Sequence, residues 1–263
     1  MAFWYFGYGS NMALKSLRAK GVEARRSERG RLPGWRLRFN VQHFFRHEGG
    51  VGNIERTGMA HDMVQGVLHW CEDEHLAPLD LTEAYPHGYD RSEVSVQGDG
   101  GERRAFVYIG TEGFRNDTCL PTRRYLNILL EGARGAGLDP AYIEALERQP
   151  VLVKPPIPAF VPPHCRPSEV TPQSLQRHPL YTVLDHLVFD MADARWQQRF
   201  LHAHFGAKDM TLFHLKRMDS SAGRETQEDV RLRRYTPAQR QYLDEYLHAY
   251  SAEYRYIGRF IEA

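Results

Sequence analysis

Apolar residues recur with two periods along the first 150 residues, and the switches between them outline a fold. Phe3-Trp-Tyr-Phe-Gly-Tyr8 is apolar at nearly every position, the pattern of a strand buried on both faces. Trp35, Leu37, Phe39 and Val41 alternate with Arg36, Arg38 and Asn40, which predicts a strand with one buried and one wet face. Residues 51–55 and 64–70 read as two more strands. Residues 91–96 and 104–109 flank Gly98-Asp-Gly-Gly101 as a hairpin. Helical spacing appears between them. Asn11 onward, with Met12, Leu14 and Leu17, predicts a short helix ending near Gly21. Asp73 as an N-cap, with Leu76, Leu79 and Glu83 at i, i+3 and i+7, predicts a second helix that carries a carboxylate on its apolar face. Pro121 onward buries Tyr125, Ile128, Leu129 and Ala133, and Asp139-Pro140 opens a helix with Tyr142, Ile143 and Leu146. Short strands at hairpin spacing with helices outside them predict an α+β fold, a small mixed β-barrel with flanking helices.

Beyond Pro150 the pattern changes. Nine of the fifteen prolines lie from Pro150 to Pro179, so residues 151–179 read as an extended linker or strap between a first domain, 1–150, and a C-terminal α/β extension, 180–263. In that extension residues 184–189 and 210–215 read as strands, 190–205 as a helix and 219–234 as a charged loop. Thr236-Pro-Ala-Gln239 is a capping box that opens a long helix striped by Tyr242, Leu243, Tyr246, Leu247 and Tyr250. No catalytic motif stands out here. The expected roles are packing, capping a site or making a homodimer.

Composition narrows the classes of function. The 263 residues are 42% hydrophobic and 25% charged, and 34 basic side chains against 33 acidic ones give a net charge of +1. That balance gives no reason to expect nucleic acid or an anionic membrane as partner. No apolar run reaches the length of a membrane span, and the N-terminus lacks the pattern of a signal peptide. Cys71, Cys119 and Cys165 form no CxxC pair, so the expectation is a cytoplasmic protein with reduced thiols. His202 and His204 point about 200° apart on a helix, and His164-Cys165 is no more than a dipeptide, so no metal site is expected.

Two features carry chemistry. An acid on an apolar stripe is costly unless it is paired, protonated or used, so Glu83 is either a satisfied structural acid or a functional one. Gly7-Tyr-Gly-Ser-Asn11 joins a strand to a helix, where glycines allow close backbone approach and N–H groups favour an anion. A dinucleotide fingerprint lacks its further Gly at Met12 and its acidic residue after a second strand. A nucleophile elbow at Ser10 lacks its second glycine. A cradle for a small anion such as a carboxylate stays open, as does a plain tight turn.

Taken in order, Phe6-Gly-Tyr-Gly-Ser-Asn-Met12, Gly-Val-Gly-Asn-Ile54, Gln65-Gly-Val-Leu68, Leu79-Asp-Leu-Thr-Glu83, Tyr89, Tyr108 and Pro121-Thr-Arg-Arg-Tyr125 resemble the gamma-glutamylcyclotransferase-like family over roughly residues 1–150. The resemblance implies a small β-barrel with flanking helices. It also implies cyclisation of a small-molecule gamma-glutamyl substrate to 5-oxoproline, with release of an amine or amino acid. Tyr8, Gly9, Ser10 and Asn11 would hold the glutamyl group, Glu83 would be the acid/base, and Tyr89 and Tyr125 match tyrosines near the family's site. Ala84 departs from the pattern, standing where a Gly commonly follows the catalytic Glu. A buried Glu is a better base than an exposed one, which would make Leu76 and Leu79 a desolvating wall. No metal or organic cofactor is required. The other reading is an inert relative that binds a ligand or protein partner.

Overall fold

The computed structural model describes residues 2–164 and 167–261, which leaves Cys165 outside the described residues. The chain divides into two compact units, Met1–Val153 and Lys154–Ala263. In chain order the first unit contains β1 (Ala2–Gly7), α1 (Leu14–Ala19), β2 (Ala24–Pro33), β3 (Trp35–Gln42), β4 (Gly50–Arg56), β5 (Met63–Glu72), α2 (Leu76–Thr82), β6 (Tyr89–Gly98), β7 (Gly101–Gly110), α3 (Arg123–Gly135) and α4 (Pro140–Glu147).

Five of these strands close into a barrel in the order β1-β5-β2-β6-β7. β1 runs antiparallel to β5 and parallel to β7, with Tyr5 opposite Phe106, so the barrel is mixed as the sequence predicts. Every position of β1 has a neighbour. Trp4, Phe6 and Tyr8 enter the barrel core with Leu32, Leu68, Val96 and Val107, while Tyr5 is buried on the other face. Each large side chain removed from water in that core contributes about 1.5–3 kcal/mol. α3, capped by the Thr122 side chain on the Tyr125 N–H, lays Leu126 and Leu129 against Met12, Phe39 and Val67. That packing holds the turn after β1 from behind.

Two assignments differ from the sequence pattern. The clearest alternating strand, β3, pairs with β4 as a separate two-stranded sheet outside the barrel. β2, which has no apolar alternation, is a barrel strand paired to β5 along its length.

The second unit contains β8 (Ser168–Val170), α5 (Pro172–Gln176), β9 (Tyr181–Leu184), β10 (Leu187–Asp190), α6 (Leu201–Phe205), β11 (Lys208–Asp209), α7 (Thr211–Lys216), α8 (Gln227–Arg231), α9 (Pro237–Glu253) and β12 (Arg255–Phe260). The strands form one sheet in the order β11-β9-β10-β12-β8. Part of the proline-rich stretch belongs to this sheet as β8, and His248 and Asp244 of α9 bond to the backbone of Pro158 and Phe160. The apolar run 184–189 is split by Asp185 and His186, both at positive φ, into the β9–β10 hairpin. The expected strand at 210–215 is the helix α7, and the expected helix over 190–205 is cut to a 3₁₀ turn and α6. The capping box at Thr236 and Gln239 is present, and α9 buries its tyrosine stripe. Among the described residues no group of three His, Cys, Asp or Glu side chains is placed to hold a metal, and no helix is long and apolar enough to cross a membrane.

Candidate active site

β1 ends at Gly7, and Ser10–Met12 turn as a single 3₁₀ step with the Met12 N–H on the Gly9 carbonyl at 3.0 Å. This turn faces the end of α2. Between them lies a cavity of about 30 Å³ lined by Tyr8, Gly9, Ser10, Asn11, Glu83, Tyr89 and Tyr125, together with Tyr5, Gly52 and Tyr108. All seven residues singled out from the sequence therefore meet at one place. A larger groove of about 500 Å³ lies behind the turn, where Lys15 pairs with Glu131, Arg29 with Asp99, and Glu28 with Arg103.

The tyrosines build the cavity walls through their hydroxyls. Tyr8 donates to the Tyr108 carbonyl at 2.5 Å and Tyr89 donates to the Gly52 carbonyl at 2.7 Å. Tyr108 donates to Asp80 at 2.7 Å, and Asp80 is paired with Arg91. The Tyr125 oxygen accepts the Gly52 N–H at 2.9 Å. A Cβ on Gly9 or Gly52 would lie 3.0 or 2.9 Å from that oxygen, so the loop must be bare at both points. Burial pushes the Tyr125 phenol up to about 12 and raises Tyr5, Tyr8, Tyr89 and Tyr108 as well, with the Glu83 charge adding to each. They stay protonated and act as neutral donors.

Asn11 links the turn to the acid. Its amide nitrogen donates to the Tyr5 hydroxyl at 2.7 Å and to Glu83 Oε1 at 2.9 Å. A carboxylate only accepts, which fixes the orientation of the amide. The Asn11 Oδ1 atom is then buried with no hydrogen-bond partner. The Asn11 backbone carbonyl is held from behind by His69 Nε2 at 2.9 Å, and Nδ1 of the same ring meets Ser27 at 2.8 Å. Since the carbonyl can only accept, Nε2 carries the proton and Nδ1 accepts from Ser27. Burial lowers the His69 pKa to about 4, so the ring is neutral.

Glu83 sits differently from the sequence expectation. Asp73 opens a 3₁₀ turn instead of capping the helix, α2 stops at Thr82, and Glu83 is its C-cap. Leu79 is fully buried but Leu76 is half-exposed, so the leucines do not wall the carboxylate in. Its closest charged neighbour is Lys20, whose Nζ donates to Oε1 at 2.7 Å. The carboxylate lies at the negative end of α2, where a cation is the fitting partner. Neither Lys20 nor Tyr5 stands out in the sequence. Tyr5 has a signal in hindsight, as the inward residue on the second buried face of β1.

Comparison with known proteins bears on the first part of the chain. Residues 5–127 match the family model described as gamma-glutamyl cyclotransferase, AIG2-like. That stretch belongs to this family. A gamma-glutamyl cyclotransferase of known structure is similar at 26% identity, over 58% of this chain and 90% of that one, with a TM-score of 0.50. The uncharacterized protein loc79017 from Homo sapiens is similar at 25% identity, over 59% and 91% of the two chains, with a TM-score of 0.51. YkqA from Bacillus subtilis, at 22% identity over 56% of this chain and 53% of its own, with a TM-score of 0.50, shares the fold. No curated protein gives a significant sequence match. Within the cyclotransferase-like domain, Ala84 takes φ +56°, the left-handed region where a glycine costs nothing and an alanine about 1–2 kcal/mol. The departure noted at this position therefore has a backbone meaning: the turn after Glu83 keeps a glycine's conformation without the glycine.

Proposed function

We propose that the chain is a gamma-glutamyl cyclotransferase that converts a gamma-glutamyl compound to 5-oxoproline and a released amine or amino acid. The observation that carries this reading is the pairing of Glu83 with the unpartnered Asn11 Oδ1 on one cavity, inside a domain of that family. A buried acceptor without a donor is rare in a resting protein and fits a ligand that brings one. The α-ammonium of a gamma-glutamyl group is such a donor.

In the reaction the glutamyl α-amine forms a bond to its own γ-carbonyl carbon, and the bond from that carbon to the departing nitrogen breaks. The ammonium, with an ordinary pKa of roughly 7.7–8.0, must first lose a proton, and Glu83 takes it. Glu83 returns that proton to the departing nitrogen as the bond breaks, and the second proton shed by the attacking nitrogen ends on the released amine, which leaves as an ammonium, so no other reagent is consumed. Attack is intramolecular, so folding the chain into a reactive geometry is worth an effective molarity on the order of 10⁵ M or more. The Tyr125 hydroxyl has its oxygen occupied by the Gly52 N–H and its proton left to donate. That proton suits the developing oxyanion or the α-carboxylate. A cavity of about 30 Å³ takes one polar group, so the glutamyl chain lies across its mouth.

The test is release of 5-oxoproline from a panel of glutathione, gamma-glutamyl amino acids and gamma-glutamylamines. At least one compound is expected to react, and Glu83→Gln is expected to slow it about 10²–10⁴-fold with the fold intact. A panel without product would mark the domain as an inert relative. Full activity in Glu83→Gln would remove the acid/base role.

A further inference from the structure

α1 has only six residues, yet its end is tightly built. Gly21 takes φ +76°, its N–H reaches the Arg18 carbonyl at 3.0 Å, and the Val22 N–H reaches back to Leu17 at 3.0 Å. Leu17 and Val22 are both fully buried, the apolar contact that accompanies this kind of helix stop. Lys20, the C-cap, is thereby fixed in backbone and directed at Glu83.

The two hydrogen bonds on the Glu83 carboxylate fall on the same atom. Lys20 Nζ at 2.7 Å and Asn11 Nδ2 at 2.9 Å both donate to Oε1, and Oε2 accepts from none of the described residues. The Lys20 and Glu83 side chains are 10% and 14% exposed, so the pair is largely shielded from water. Glu83 and Asn11 line the cavity and Lys20 does not. The lysine therefore meets the carboxylate from behind, away from where a substrate would lie.

We propose that Lys20 is a positioning residue for Glu83: it anchors Oε1, which leaves Oε2 as the oxygen that exchanges protons with the substrate. This rests on the cyclotransferase reading. With Oε1 held by Lys20 and Asn11, Oε2 meets the substrate ammonium in one fixed orientation, so the proton passes between groups already aligned for transfer. The chemical step gains and ground-state binding does not.

That division gives a test that a structural ion pair would not pass. In Lys20→Met, kcat is expected to fall roughly ten- to a hundred-fold while KM stays level or drops, and Lys20→Arg is expected to recover most of the loss. A rise in KM at unchanged kcat would overturn the proposal in favour of direct substrate binding. Unchanged kinetics, or a loss that follows thermal stability alone and that Lys20→Arg does not recover, would also overturn it. A second measurement needs no turnover. The carboxyl ¹³C resonance of Glu83, assigned by its loss in Glu83→Gln, is expected to move in Lys20→Met and to stay in place in Lys20→Arg. If the substrate panel gives no product, the cyclotransferase reading fails while this resonance still reports the anchor; a resonance indifferent to Lys20→Met would refute the anchor itself.

Discussion

Replacing Tyr125 with phenylalanine removes one oxygen atom from the point where the two bare loops meet. That atom accepts the Gly52 N–H at 2.9 Å, in a side chain only 8% exposed. Phenylalanine fits the same space and leaves the Gly52 amide facing a ring edge. A buried N–H without a partner costs about 1–3 kcal/mol, and a water drawn into the vacated spot would offset part of it, so the expected loss is about 2 kcal/mol. At roughly 2–4 °C per kcal/mol for a unit of this size, the melting transition of the full chain should fall by about 4–8 °C. Tyr89→Phe is the control. It removes a single donor from the Gly52 carbonyl, a bond of 2.7 Å, and should cost about 1 kcal/mol. Melting both variants by circular dichroism beside 5-oxoproline assays separates stability from turnover. A Tyr125→Phe transition within a degree of wild type, or a larger loss in Tyr89→Phe, would show that the Tyr125 oxygen is not the acceptor on which the loop geometry depends.

Two further predictions concern the backbone after Glu83 and the support behind the turn. At Ala84, φ +56° and 2% exposed, glycine relieves left-handed strain but loosens the unfolded chain and gives up a buried methyl. Ala84→Gly should therefore shift stability by less than about 1 kcal/mol, whereas Ala84→Val should cost more than about 2 kcal/mol, as read from urea midpoints. His69 has an ordinary pKa of 6.5 and a folded value of about 4, so the unfolded chain binds the extra proton between those limits. Stability is then fully present above pH 6.5 and is lost as pH falls toward 4; from pH 7.5 to 5 the loss should be about 2 kcal/mol, and His69→Gln should remove it. An equal pH slope in that variant would mean the ring does not carry the effect.

What could be read from the chain and what could not divides along physical lines. β1 was legible because every one of its residues is needed as an apolar surface, and α9 because its capping box and stripe are contiguous in sequence. β2, Ala-Arg-Arg-Ser-Glu-Arg-Gly-Arg-Leu-Pro, offers no such pattern, since most of its side chains face water. It is a strand because β5 and β6 leave a place for one, and that is a non-local reason. The run 184–189 looked like one strand because apolar continuity cannot register the two left-handed residues that fold it back.

The same division applies within the site and changes the meaning of Glu83. Helical periodicity placed it on the buried face with Leu76 and Leu79, where burial would make it basic and account for its use. The helix stops one residue short of it, and the carboxylate, largely shielded from water, lies at the negative end of α2. A carboxylate there needs a cation, and no pattern within α2 supplies one. It comes from Lys20, 63 residues earlier, held in place by a glycine stop whose sequence shows the end of a helix and nothing of what lies across from it. Glu83 could be singled out from its neighbours in sequence; which of its two oxygens is free to act depends on a residue visible only in the folded chain.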